Sequence, residues 1–256
     1  MFRTAGVDLA AESAHTGLAI IEWRAASARV SDLQLGVGND SIVNAAAHVE
    51  LVGIDCAFGW PDDFVDVVAA LRDRRPLDAD ATGDIDWRRR LAYRDTDRAV
   101  KERTGRWPLS VATDRLGLTA LRCAVILEAV ARAGLPVDRA GSPPSRVVEV
   151  YPAAALRCWG LRQEGYKRSE ERRAELLDAV LAALPWLELG EHRAAMLRSA
   201  DAFDAVLSAV IAGFAHVGRI ESPPPEAAER VSREGWIALP VGEAALIPST
   251  SERFPS

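Results

Sequence analysis

Residues 3–35 read RTAGVDLAAESAHTGLAIIEWRAASARVSDLQL. Three apolar runs, at 3–9, 16–23 and 28–35, are joined by short polar connections, and that pattern predicts three antiparallel strands made by consecutive hairpins. The first of them ends on Asp8. Further on, Asn39, Asp40 or Ser41 is placed to cap a helix running to about His48. LVGID at 51–55 is a buried strand that ends, like the first, on an aspartate. Pro61 sits where a proline suits the first turn of the next helix, DDFVDVVAALRDR.

From about 73 to 115 the pattern turns irregular, with Pro76, Gly83, Gly105, Pro108 and many charges. This reads as an insertion with one helix around 86–102, a lid or substrate-facing segment. A well-patterned helix follows at 115–133, stopped by Gly134 and Pro136. RVVEVY at 146–151 is another buried strand, and Pro152 starts a short helix. Helices at 169–184 and 200–217 come next; the bend SPPP at 222–225 precedes WIALP and AALIP, which look like terminal strand pieces. Helical crossovers from 51–55 onward make the later strands parallel to the first. The chain is thus expected to form a single α/β domain over 1–256, with a five-stranded mixed sheet flanked by helices.

Composition narrows the chemistry. Hydrophobic residues make up 49% and charged residues 27%, ordinary for a soluble globular chain. No apolar run reaches the roughly 18–20 residues of a membrane span, and MFRTAGVDLA lacks the pattern of a secretory signal; a cytoplasmic location and no membrane partner are expected. The cysteines Cys56, Cys123 and Cys158 are too widely spaced for a disulfide framework or zinc set, and the histidines have no metal-binding spacing. Any metal would be oxygen-bound, which favours Mg2+ or Mn2+. The net charge of −6 counts against nucleic-acid binding by overall field, although the 72–106 segment is rich in arginine. Arginine's excess over lysine reads as GC-rich coding.

The acidic residues at strand ends carry the functional reading. Asp8 ends the first strand and Asp55 the fourth; Glu149 lies inside the fifth; Asp201 and Asp204, three apart, project from one side of the last long helix. Charged groups are seldom buried without a partner or a metal. With strands one and four neighbours in a parallel sheet, Asp8 and Asp55 emerge at one edge, where like charges repel unless a cation lies between them. A metal pair about 3.5–4 Å apart answers that repulsion and can activate water for phosphodiester attack. Asp8, Asp55, Asp201 and Asp204 are therefore candidate metal ligands, and Asp8, Asp55, Glu149 and Asp204 candidate catalytic groups. Each has a plainer explanation: a strand-end turn for Asp8 and Asp55, an arginine pair for Glu149, a helix cap for Asp201, and a solvated helix face for Asp204, which its apolar neighbours disfavour. Arg94 and Asp97, in the run RDTD, suit phosphate recognition or an exposed helical charge ladder equally. Trp60, Trp87, Trp107 and Trp236 suit base stacking less well than core packing.

The blocks GVDLA (6–10), GIDCAFGWP (53–61), RDTD (94–97), VEVYPAAAL (148–156), DAFDAVLSA (201–209) and EGWIALP (234–240) together resemble an uncharacterised bacterial and archaeal family described as predicted nucleases with a ribonuclease H-like fold. That family is similar in turn to Holliday-junction resolvases, whose last helix carries a paired acidic element followed by alanine. The resemblance implies a ribonuclease H-like domain in which Asp8 is the first-strand metal ligand and Asp204 the final-helix ligand. Asp201 then matches the position one turn earlier, and Asp55 and Glu149 match acidic family positions. The activity expected is a Mg2+- or Mn2+-dependent phosphodiesterase on nucleic acid or a nucleotide. The rivals are a phosphatase or phosphotransferase for a small phosphorylated metabolite, which the acidic net charge favours, and a non-catalytic binding protein on the same scaffold. The absence of G-x-x-x-x-G-K argues against a P-loop nucleotide site.

Overall fold

The structure is a computed structural model that describes residues 1–77 and 84–248. Strands β1 (Phe2–Asp8), β2 (Gly17–Trp23) and β3 (Ala28–Leu35) form the expected antiparallel meander. Strand β4 (Leu51–Asp55) pairs parallel with β1, and β5 (Val147–Glu149) pairs parallel with β4. A further strand, β6 (Leu187–Glu188), lies parallel to β3, so the sheet has six strands rather than the expected five, in the order β5-β4-β1-β2-β3-β6. Two residues carry no periodicity, and β6 exists because the Ala28 N–H reaches the Trp186 carbonyl, 2.9 Å away, across the sheet edge.

Ten α-helices among the described residues surround the sheet. On one face lie α1 (Asn39–His48) and α5 (Gly117–Arg132), whose Ile42, Ala46, Cys123 and Ile126 pack with Val7 and Ile54 of the sheet. On the other, α7 (Glu170–Ala183) and α9 (Ala200–His216) pack Leu177, Phe203 and Val206 against Ala19, Ile21 and Trp23. Every residue of α9 from Ala202 to Phe214 is buried. A helix apolar all round belongs in the interior, and this one runs under the centre of the sheet against β1, β2 and β4. The remaining helices are α2 (Asp62–Arg72), α3 (Ile85–Ala92), α4 (Asp95–Thr104), α6 (Pro152–Cys158), α8 (Arg193–Arg198) and α10 (Ala228–Glu234). None of the described helices is long and apolar enough to cross a membrane.

Two expectations need correcting. The single helix expected over 86–102 is two, because Arg94 takes an extended conformation (φ −71°, ψ 168°) and becomes the N-cap of α4; residues 78–83 of that insertion lie outside the described residues. WIALP and AALIP are not strands: Ile237 makes one bridge to Glu149 and Pro240 one to Ile220, and 244–246 is a turn and bend. Pro240 and Pro248 lack the N–H a ladder needs.

Candidate metal centre

The parallel register of β1 and β4 pairs Gly6 with Gly53 and Asp8 with Asp55, so the two G-x-D runs end side by side. The glycines are what bring α9 to them. A Cβ on Gly6 would overlap the Ala205 carbonyl and the Ala209 amide of α9, and one on Gly53 would press on the Ser208 carbonyl. Glycine here permits close approach of backbone to backbone. Ser199 caps α9, its hydroxyl accepting from Ala202 N at 3.2 Å, so the cap role open to Asp201 belongs to Ser199. One turn into that helix Asp204 faces the strand ends. Gly6→Ala is expected to push β1 off α9 and to cost about 1–3 kcal/mol, measured by urea unfolding; an unchanged midpoint and slope would contradict the close-approach role.

Carboxylate oxygens of Asp8, Asp55 and Asp204 lie within 4.8 Å of one another. These are three of the four expected metal ligands. Asp201 stands outside the trio, half-buried, and adds negative charge around Asp8 and Asp204. Burial first, and then the charges of Asp204 and Asp55, push the Asp8 carboxyl up to about 9. Burial likewise pushes Asp55 up to about 7, against the pull of Lys167. Asp204, fully buried, is raised by desolvation, which Lys167 and Tyr166 partly offset. Carboxylates this crowded repel one another unless they are protonated or faced by positive charge.

Lys167 and Tyr166, which sequence reasoning missed, complete the site. The Lys167 ammonium lies 2.6 Å from Asp204 Oδ2. Tyr166 donates its hydroxyl to both Asp204 oxygens, at 2.8 and 3.1 Å. Burial opposes the charge on Lys167, yet Asp204, Asp55 and Asp8 together hold its ammonium above the ordinary lysine value. Burial and Asp204 suppress ionisation of Tyr166. One signal existed: the chain writes nearly all of its 31 basic residues as arginine, and one of its two lysines stands here.

Glu149, expected among the catalytic carboxylates, does not join the trio. Its oxygens take Arg94 Nη1 and Nη2 at 2.9 and 2.7 Å, and Oε2 also accepts the Phe58 N–H at 2.9 Å. Asp97 accepts Arg94 Nε at 3.2 Å and Nη2 at 3.0 Å, and Nη1 also donates to the Glu234 carbonyl at 3.0 Å. Arginine has five N–H donors, and all five are engaged inside the protein. Arg94 and Asp97 therefore offer nothing to a phosphate in this conformation; they tie α4 to β5. Of the four tryptophans considered for stacking, Trp236 is buried with its indole N–H on the Glu221 carbonyl, and Trp107 stacks on Tyr93 at 4.1 Å.

No curated protein and no solved structure matches the chain. A family model does, over residues 6–229, which takes in every residue of the carboxylate trio together with Tyr166 and Lys167. The chain belongs to the family described as Protein of unknown function (DUF429).

Proposed function

We propose that the protein is a divalent-metal-dependent phosphodiesterase of nuclease type on a ribonuclease H-like scaffold. The observation that carries this reading is the convergence of Asp8, Asp55 and Asp204 oxygens within 4.8 Å at the end of two paired parallel strands. A meander of three strands continued by parallel β4 and β5, with a carboxylate at the end of β1 and another on a late helix, accords with that scaffold. Fold alone does not set chemistry, so the donor set has to. Three carboxylates are hard oxygen ligands that suit Mg2+ or Mn2+; burial first, and neighbouring carboxylates after it, raise Asp8 and Asp55, which accords with a site that a cation would relieve.

Asp8, Asp55 and Asp204 would hold the ion. Bound there, a divalent ion supplies Lewis acidity toward a phosphoryl oxygen and a lowered pKa for water. The chain's own contribution is placement. The strand register fixes Asp8 against Asp55, α9 delivers Asp204, and Tyr166 orients the Asp204 carboxylate by bonding both of its oxygens. Nucleic acid or a nucleotide is the substrate class proposed, with a small phosphorylated metabolite as the alternative favoured by the net charge of −6. The test is a panel of single-stranded, duplex and branched nucleic acids plus nucleotides and sugar phosphates, each assayed with Mg2+ or Mn2+. Hydrolysis that appears with the ion and disappears on chelation is expected. Turnover confined to phosphomonoesters would select the alternative, and turnover unaffected by chelator would overturn the metal reading.

A further inference from the structure

We propose that Lys167 is a built-in cation standing in the place of a second metal, so that the site takes one divalent ion per chain and not a pair. The inference rests on the metal-centre reading above and goes past it to the ion count.

Three observations carry it. The first is the lone-pair supply of Asp204. A carboxylate offers about four acceptor positions. Tyr166 shares its one hydroxyl proton between the two oxygens, and Lys167 adds a bond of 2.6 Å to Oδ2, so two of the four positions are taken. One ion needs one of the remaining positions, whereas a bridge between two ions would take every position left.

The second is charge. The three carboxylates of the trio and one ammonium leave two negative charges, which one divalent ion cancels, and the nearby half-buried Asp201 adds one more. A pair would leave the site positive even with Asp201 counted, beside a carboxylate with no solvent exposure, and uncompensated charge in such a place is costly. The third is ligand supply. Oxygens within 4.8 Å can close on one ion at about 2.0–2.1 Å by drawing together to between about 3 Å, for adjacent ligands, and about 4.2 Å, for opposed ones. Two ions about 3.5–4 Å apart would need more carboxylates. Glu149, the nearest candidate by sequence position in the sheet, is occupied by Arg94, and Asp201 is not in the trio.

The lysine is also held for this place. Its ammonium lies 5.9 Å over the centre of the Tyr166 ring, and its side chain is 54% exposed. An ammonium has three donors, so with one on Asp204 it keeps others for a phosphate oxygen, as a second metal would.

The test is titration of the full chain with Mn2+ alone, followed by calorimetry and electron paramagnetic resonance, on the parent, Lys167→Met and Lys167→Arg. The parent is expected to bind one Mn2+ with the spectrum of an isolated ion. Lys167→Met is expected to bind its first Mn2+ about tenfold more tightly, since one positive charge is gone, and to admit a second ion. Lys167→Arg, which keeps the charge, is expected to return to one ion at parental affinity. If Lys167→Met fails to fold, Lys167→Gln takes its place, and the parental count stands as a test by itself. Two exchange-coupled ions in the parent, or a methionine variant with parental count and affinity, would overturn the inference and leave the metal centre standing. No binding by the parent would overturn both.

Discussion

Asp8→Asn should stabilise the metal-free protein at pH 8 while weakening Mn2+ binding about a hundredfold or more. The two effects share one cause. Asp8 is pressed by burial and by Asp204 and Asp55, and its carboxyl is raised from 3.8 to about 9. A group raised on folding contributes stability that is complete below the unfolded value and is lost as pH climbs through the folded one. The metal-free parent therefore loses stability between about pH 4 and pH 9, with Asp55, raised to about 7, adding to the loss in the lower half of that window. Asparagine removes the Asp8 share, a gain of about 1–3 kcal/mol at pH 8, or a midpoint rise of roughly 2–4 °C for each kcal/mol in a chain of this size. On the proposed metal centre, saturating Mg2+ should reverse the order of the two proteins, because an ion that binds only the folded state stabilises it by mass action. Loss of an outer partner of a metal ligand already costs 10–100-fold in affinity, so loss of a ligand should cost at least as much. Thermal scans at pH 5 and pH 8, with and without Mg2+, check this. A variant less stable than the parent at pH 8 without metal would refute the crowding argument.

Arg94→Met should cost about 3–5 kcal/mol by urea unfolding. The guanidinium lies between Glu149 and Asp97, all three of them nearly inaccessible to solvent. Removing one partner of a buried pair leaves uncompensated charge, which is where such penalties come from. The damage should also reach the metal centre, since Glu149 accepts the Phe58 N–H and so anchors the chain three residues beyond Asp55. Adding Glu149→Leu to the methionine variant should recover part of the loss, because one of the two stranded charges then goes too. A cost under about 1 kcal/mol for Arg94→Met would show that the network is not load-carrying.

The meander and β4 were legible because apolar runs bounded by polar turns report burial directly, and α9 because an unbroken apolar helix has only one place to go. Asp8, Asp55 and Asp204 were legible for a related reason: a carboxylate set in an apolar element advertises a cost that something must offset. Glu149 shows the limit of that logic. Its burial was readable, but its partner, Arg94, is 55 residues away, and nothing local distinguishes an arginine from an ion as the compensating charge. Tyr166 and Lys167 were beyond reach because they lie in an irregular stretch between α6 and α7, and only tertiary packing carries that stretch over the Asp204 end of the sheet. β6 was invisible at two residues.

Glu234 bears on where this fold can be cut. Its carboxylate accepts the Asp62 N–H at the start of α2 and the Asp95 N–H at the start of α4, both at 2.9 Å, while its carbonyl holds Arg94. One side chain thus staples two helices from distant parts of the chain. The family model ends at residue 229, five positions short of it. A version trimmed to that border would keep every carboxylate of the trio and lose the clasp on α2 and α4, so it is expected to unfold at lower urea than a chain carried past residue 234.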